Sequence, residues 1–283
     1  MVDSSLIDYF NENGFAVIEN FISIDDCKTL QKEMEDIVTN AAADSLPVFS
    51  TENQIAKTDN DYFLSSGDKI RIFFEEDAVN SSGELLVPKN FAINKVAHAL
   101  HILNPTFKRF STDFPGVREI VKKCGFIRPA ICQSMYIFKQ PRLGGTVVPH
   151  QDATFLYTEP ESKLLGLWIA LEDATETNGC LHFVAGSHKN DVYEKFIRTV
   201  ENDVVSLKKV AIKDFPNADY RPIPVKRGSC VLIDGKVLHK SAKNTSEKSR
   251  HVFTFHIIET HGVSWDERNW LQPSTSVPFT SLY

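Results

Sequence analysis

The stretch VVPHQDATFLYTEP, residues 147–160, sets His150, Gln151 and Asp152 inside a run of strand-favouring residues. Polar groups in such a run must be solvated, satisfy one another or hold something. In extended backbone the two-residue period turns His150 and Asp152 to one face, with Gln151 between them on the other. An imidazole and a carboxylate can then converge on one point. Taken alone, H-x-D is a common spacing, and a surface or hydrogen-bonded pair is the simpler reading.

Outward from this stretch the chain has β character. From about residue 130 it runs in short strand-like pieces separated by turn residues: ICQSMYIFKQ, KLLGLWIALED, GCLHFVAG, GSCVLIDG and RHVFTFHIIET. Such spacing suggests a sandwich or barrel rather than a parallel sheet. Upstream, LIDYFNENGFAVIENFI reads as a short helix, an Asn13-Gly14 turn and a strand over residues 15–18. Ser23, with Asp25 and Asp26 behind it, is an N-cap for a helix over about 24–40, where Ile24, Cys27, Leu30, Met34, Ile37 and Val38 recur at helical spacing. Residues 91–124 read as helix again, FAINKVAHALHIL most clearly. The polar residues 41–90, with STENQIAKTDNDYFLSSGD and the acidic EEDAVNSSGE, read as a lid or a surface excursion. The expected architecture is mainly β with flanking helices. It forms one domain over 1–283, helix-rich over about 1–125 with a β core over about 130–260.

Composition excludes several classes. A net charge of −6 without a basic block argues against nucleic acid or an anionic membrane as partner. No apolar run approaches the roughly 20 residues that span a bilayer. The five cysteines form no C-x-x-C pair, so neither a disulfide framework nor a thiolate zinc site is signalled. The N-terminus lacks a secretory core and the C-terminal SLY is not the SKL address, so a reduced, cytoplasmic protein is expected.

Most of the nine histidines take an ordinary structural reading. His98 and His101 would share a helical face, but no carboxylate completes a site there. His251 and His256 fall on opposite faces of a strand and cannot chelate one ion together. His239, after the run GSCVLIDG, is different: it can complete with His150 and Asp152 a 2-His-1-carboxylate facial triad, which suits non-haem Fe(II). Arg250 opens the next strand and shares a face with Val252 and Thr254; a buried guanidinium there would need a carboxylate.

These pieces together resemble the phytanoyl-CoA dioxygenase family of Fe(II)/2-oxoglutarate oxygenases. The resemblance rests on HQD at 150–152, LGLWIALEDATETNGCLHFVAGSHK at 165–189 and LHKSAKNTSEKSRHVFTFH at 238–256. FNENGFAVIENFIS and FAINKVAHALHILNPTF extend it over most of the chain. It implies a double-stranded β-helix, a jelly-roll, cupin-like barrel with the metal inside. It implies that His150, Asp152 and His239 bind Fe(II) and carry the catalysis, and that Arg250, with Ser241, holds the distal carboxylate of 2-oxoglutarate. Trp168, Met135, Lys95 and the Gln151 segment fall where the family contacts that cosubstrate. The implied reaction consumes O2, with ascorbate in support, and hydroxylates a substrate expected to be a small molecule, with an acyl-CoA, a free small molecule and a protein side chain all left open by the sequence. His182 and Ala185 depart from the family's usual loop residues. His182 reads as structural or pocket-covering, His188 as a structural hydrogen bonder. A halogenase would need the place that Asp152 fills. A zinc jelly-roll enzyme would have no use for Arg250, and a sensor with little turnover is the alternative on the same scaffold.

Overall fold

The computed structural model describes residues 2–41, 48–49, 61–201, 204–214 and 217–283. The helix at Ser4–Asn13 ends on Gly14, whose φ of 82° favours a residue without a side chain. The turn delivers Phe15–Ile18 as a strand. The next helix, Ile24–Asn40, starts with a capping box in which Ser23 and Asp26 satisfy each other's backbone N–H groups. It buries Cys27, Leu30, Met34 and Val38, and leaves Ile24 half exposed. Burying a side chain such as Leu30 contributes about 1.5–3 kcal/mol.

Two sheets face each other. The larger has nine strands in the order Phe15–Ile18, Cys230–Asp234, Leu164–Ala170, Val252–Glu259, Pro129–Ile137, Ile93–His98, Ile70–Glu75 and Val48–Phe49, with Thr280–Ser281 also paired to Pro129–Ile137. All its pairings are antiparallel except Val48–Phe49 with Ile70–Glu75. The smaller runs Arg221–Ile223, Leu181–Phe183, His239–Ser241, Val147–His150, antiparallel throughout. This is the double-stranded β-helix architecture, but as two facing sheets rather than the closed barrel expected from sequence.

The alternation of each central strand divides its side chains between the two faces. Leu165, Leu167 and Ile169, with Phe253, Phe255 and Ile257, pack into one apolar cluster with Leu30 and Met34 and with Phe107 and Ile120 of the short helices. Gly166, Trp168, Thr254 and His256 take the other face.

Residues 91–124 do not form the expected helix. Ile93–His98 is a strand with all six residues buried, and short helices follow at Leu100–Leu103, Pro105–Arg109 and Pro115–Lys123. A strand covered on both faces shows no polar alternation, so its apolar run looks the same as a buried helix segment. His98 and His101 therefore share no helical face. The N-terminal part is also less helical than expected, since it supplies four strands to the large sheet. The hairpin of Glu194–Glu201 with Val204–Ala211 has no counterpart in the sequence reading. Of the expected lid, residues 42–47 and 50–60 lie outside the described residues. The remainder includes a short helix at Asp61–Leu64 and the strand Ile70–Glu75.

His101 is buried against the Ser134 hydroxyl, 2.9 Å from its Nδ1. Burial pushes its pKa down to about 3. The unfolded ring titrates near 6.5, so below that pH the unfolded chain takes a proton that the folded state refuses. Stability should therefore fall as pH drops through this window, by about 2–3 kcal/mol at pH 4.5 from His101 alone. Denaturant unfolding of wild type and His101→Leu at pH 7 and 4.5 measures it. Equal pH sensitivity in the two proteins would show that the ring is hydrated.

Candidate metal centre

The Val147–His150 strand and the His239–Ser241 strand are neighbours, with His150 paired directly to His239. After His150 the chain turns, so Asp152 begins a short 3₁₀ turn rather than continuing the strand. The carboxylate still comes back to the same face. His150 Nε2 and His239 Nε2 each stand 3.8 Å from Asp152 Oδ1. One ligand atom from each of the three residues lies within 4.8 Å of the others. With bonds of roughly 2.1 Å, a single ion can bridge separations of 3.8 Å.

Both rings are held the same way. His150 Nδ1 donates to Val148 O at 2.9 Å and His239 Nδ1 to Val237 O at 3.0 Å. Each bond places the proton on Nδ1 and turns the Nε2 lone pair inward. Burial pushes the His150 pKa down to about 4, with the neighbouring His239 adding to the effect. For Asp152, burial alone would raise the carboxyl. His256, His239 and His150 outweigh it, and the group stays below its usual range. Two imidazole Nε2 atoms and a buried carboxylate thus face one point, the donor set of a divalent cation.

The large sheet forms the floor beneath this point. His256 Nε2 lies 3.2 Å from Asp152 Oδ2, off the N–H axis, and its Nδ1 is 3.2 Å from Gln133 Nε2. Gly166 sits beside His256 on the neighbouring strand. A Cβ there would come within 3.3 Å of Asp152 Oδ2 and of Ile233 Cβ, so the position is bare because the carboxylate passes over it. Gly166→Ala should crowd Asp152 and lower Zn(II) affinity about tenfold, read by competition with a chromogenic chelator. Unchanged affinity would show that the carboxylate moves aside freely.

A cavity of about 210 Å³ runs from the metal-facing atoms to Arg250. Arg250 is buried, and burial pushes its pKa down to about 10. Its guanidinium carbon lies 5.1 Å from the Trp168 ring centroid. Nε has no hydrogen-bond partner, and no carboxylate pairs with the side chain among the described residues. Met135 is in the wall. So is Lys95, whose Nζ stands 3.4 Å from the Phe49 ring centroid and whose pKa burial pushes down to about 7. Ser241 is also there, but its hydroxyl donates to Gly179 O at 2.8 Å, so as it stands it offers the cavity an acceptor.

Gln151 is the expected site residue that the structure keeps out of the cavity wall. It is fully buried behind the site: its Nε2 donates to Lys236 O at 2.7 Å and its Oε1 accepts from Tyr193 N at 2.8 Å. This is the opposite-face position that strand periodicity implied, whereas the resemblance implied a cosubstrate contact for the same segment. His182 also points away from the cavity, since its neighbours Leu181 and Phe183 face inward; its Nδ1 is 3.2 Å from Cys180 O. His188 Nε2 bonds Asn11 O at 3.0 Å, tying the GSH turn to the first helix.

The polar wall residues that the sequence reading did not place at the site include His256, Gln133, Glu75 and Lys139. His256 was recoverable, because it continues the even-numbered face of Arg250 and Thr254. Gln133 required knowledge that its strand pairs with His256. At the Arg250 end, Glu75 accepts from Gly145 N at 3.2 Å and Lys139 donates to Gly145 O at 2.6 Å. Nothing in their local sequence marks either residue.

A family model described as Phytanoyl-CoA dioxygenase (PhyH) matches residues 10–252. The phytanoyl-CoA dioxygenase domain-containing protein 1 of Bos taurus is 47% identical over 290 residues, covering 99% of this chain and 98% of that protein. Its Danio rerio counterpart is 45% identical over 284 residues, covering 97% and 96%. A phytanoyl-CoA dioxygenase of Arabidopsis thaliana is 44% identical over 266 residues, covering 94% and 92%. Among solved structures, the epimerase SnoN in complex with Fe3+, alpha ketoglutarate and nogalamycin RO has a TM-score of 0.64 at 12% identity, over 99% of this chain and 98% of that one. EctD from S. alaskensis has a TM-score of 0.62 at 15% identity, over 98% and 84%. At these identities the two structures bear on the fold.

Proposed function

Because the chain belongs to the phytanoyl-CoA dioxygenase family, we propose that it is an Fe(II)- and 2-oxoglutarate-dependent dioxygenase that hydroxylates a small molecule. The observation that carries this reading is the pairing of two features in one cavity: three convergent ligand atoms, and a buried Arg250 that lacks a carboxylate. Bound Fe(II) with O2 supplies the oxidising chemistry by which 2-oxoglutarate becomes succinate and CO2. The protein's own residues hold and orient.

His150 and His239 present their Nε2 atoms to the cation, because their Nδ1 hydrogens are committed to carbonyls. Asp152 brings negative charge to the cation, with His256 Nε2 3.2 Å from its Oδ2. Arg250 meets the distal carboxylate of the ketoacid as a planar fork, and the Trp168 ring limits its motion. Met135 and Lys95 form the wall along the ketoacid, and Ser241, on turning its hydroxyl from Gly179 O, donates to the distal carboxylate beside Arg250. Gln151 acts from behind by fixing the loop that carries Asp152. Residues 1–283 form one oxygenase unit acting in the cytoplasm, and no described helix is long and apolar enough to cross a membrane.

The test is direct. Purified protein with Fe(II), ascorbate and O2 should convert 2-oxoglutarate to succinate. Tight 2-oxoglutarate binding with no succinate above the protein-free rate would point to a sensor and overturn the catalytic reading.

A further inference from the structure

Among the described residues, the cavity wall away from Asp152 carries three Lys or Arg side chains, Lys95, Lys139 and Arg250, against one carboxylate, Glu75. All four are buried. Buried cations in excess of buried carboxylates are costly, so an anion is what this wall lacks. The oxygenase reading places Arg250 and Lys95 along the ketoacid and leaves Lys139 without a part.

Lys139 is tied to both residues that the reading sets at the distal carboxylate. Its stem fills the space over two glycines: a Cβ on Gly179 would come within 2.3 Å of Lys139 Cε, and one on Gly144 within 2.5 Å of Cγ. The Gly179 carbonyl accepts the Ser241 hydroxyl at 2.8 Å, so Lys139 and Ser241 meet at one residue. Along the backbone, Lys139 O accepts from Arg250 N at 3.3 Å and from Asn244 Nδ2 at 3.0 Å. Its φ of 39° lies on the left-handed side, where a residue with a side chain sits at a cost, and these bonds hold it there.

The ammonium has donors to spare. Nζ donates to Gly145 O at 2.6 Å, and Glu75 accepts from Gly145 N at 3.2 Å, so Gly145 is gripped at both its C=O and its N–H. An ammonium carries three N–H bonds, and among the described residues Lys139 uses one. Burial, with the Arg250 charge adding to it and Glu75 opposing, holds the Lys139 pKa well below the usual lysine range. A carboxylate arriving here favours the charged form again. Such a carboxylate offers about four lone-pair sites; the Arg250 fork fills two and leaves room for an ammonium and a hydroxyl.

We propose that Lys139 binds the distal carboxylate of the ketoacid together with Arg250, as a second cation that selects dicarboxylic over monocarboxylic ketoacids. This rests on the oxygenase reading for the identity of the ligand.

The experiment titrates 2-oxoglutarate and 2-oxopentanoate calorimetrically into Zn(II)-loaded protein. The second ligand has the same chain length and ketoacid head but ends in a methyl group. Wild type should prefer 2-oxoglutarate. Lys139→Met should weaken 2-oxoglutarate about tenfold and leave 2-oxopentanoate unchanged, which a residue that only supports the Gly145 loop would not do. Lys139→Gln, which keeps an N–H donor but no charge, should lose the same preference and decides the matter should Lys139→Met not fold. An unchanged 2-oxoglutarate affinity, or an equal loss for both ketoacids, would overturn the proposal. Wild type that binds neither ketoacid overturns the oxygenase reading along with it, whereas a wild-type preference that both variants retain overturns this proposal alone.

Discussion

Asp152→Ala should bring 2-oxoglutarate turnover to the protein-free background and weaken metal binding by at least about 10³-fold. Partners that merely orient a ligand already change affinity by about 10–100-fold, and Asp152 supplies both a bond and the charge that the cation requires. His150 and His239 keep their tautomers in the variant, because their Nδ1 bonds run to backbone carbonyls rather than to Asp152. The loss should therefore appear in Zn(II) or Co(II) titrations with little change in the unfolding midpoint of the metal-free protein. Wild-type metal affinity in Asp152→Ala would mean that the ion sits elsewhere.

The second large effect belongs to Arg250. Arg250→Met should raise the 2-oxoglutarate concentration needed for half-maximal turnover by about 10²–10³-fold, the range for removing one partner of a buried charge pair. A second consequence follows from its surroundings. Without ligand the guanidinium is buried with an unpaired Nε and no carboxylate partner among the described residues. Replacing it by an apolar chain should then raise the unfolding midpoint of the ligand-free protein, while the stabilisation normally gained from 2-oxoglutarate disappears. Both readings come from thermal scans with and without the ketoacid. An unchanged 2-oxoglutarate requirement, or a destabilised ligand-free protein, would show that the distal carboxylate binds elsewhere or that the cation is satisfied within the chain.

Much of this arrangement was legible from sequence where one strong pattern acted locally. Ile24–Asn40 carried its cap, acidic first turn and apolar stripe together, and each feature is present. Leu164–Ala170 and Val252–Glu259 were readable as strands because they are short apolar runs bounded by turn residues. Ile93–His98 was not, because burial on both faces removes the alternation that distinguishes strand from helix. The metal-facing residues were legible for a different reason. His150 and Asp152 are near in sequence, and His239 and Arg250 entered through their order along the chain. Gln133, His256 and Gly166 come together only through strand pairing, so their shared row is invisible until the register is known. Lys139 and Glu75 depend on a loop at Gly145 that no local signal fixes.

The two sheets divide the site between them. His150 and His239 stand on the four-stranded sheet, while Arg250 leads into the Val252–Glu259 strand of the nine-stranded one. On the proposed function, a molecule that chelates the ion at one end and meets the guanidinium at the other would span the gap, so the cosubstrate would also be a strut. While in place it would brace the two faces against each other. Shortened to succinate, it would no longer reach from one sheet to the other, and that brace would be lost.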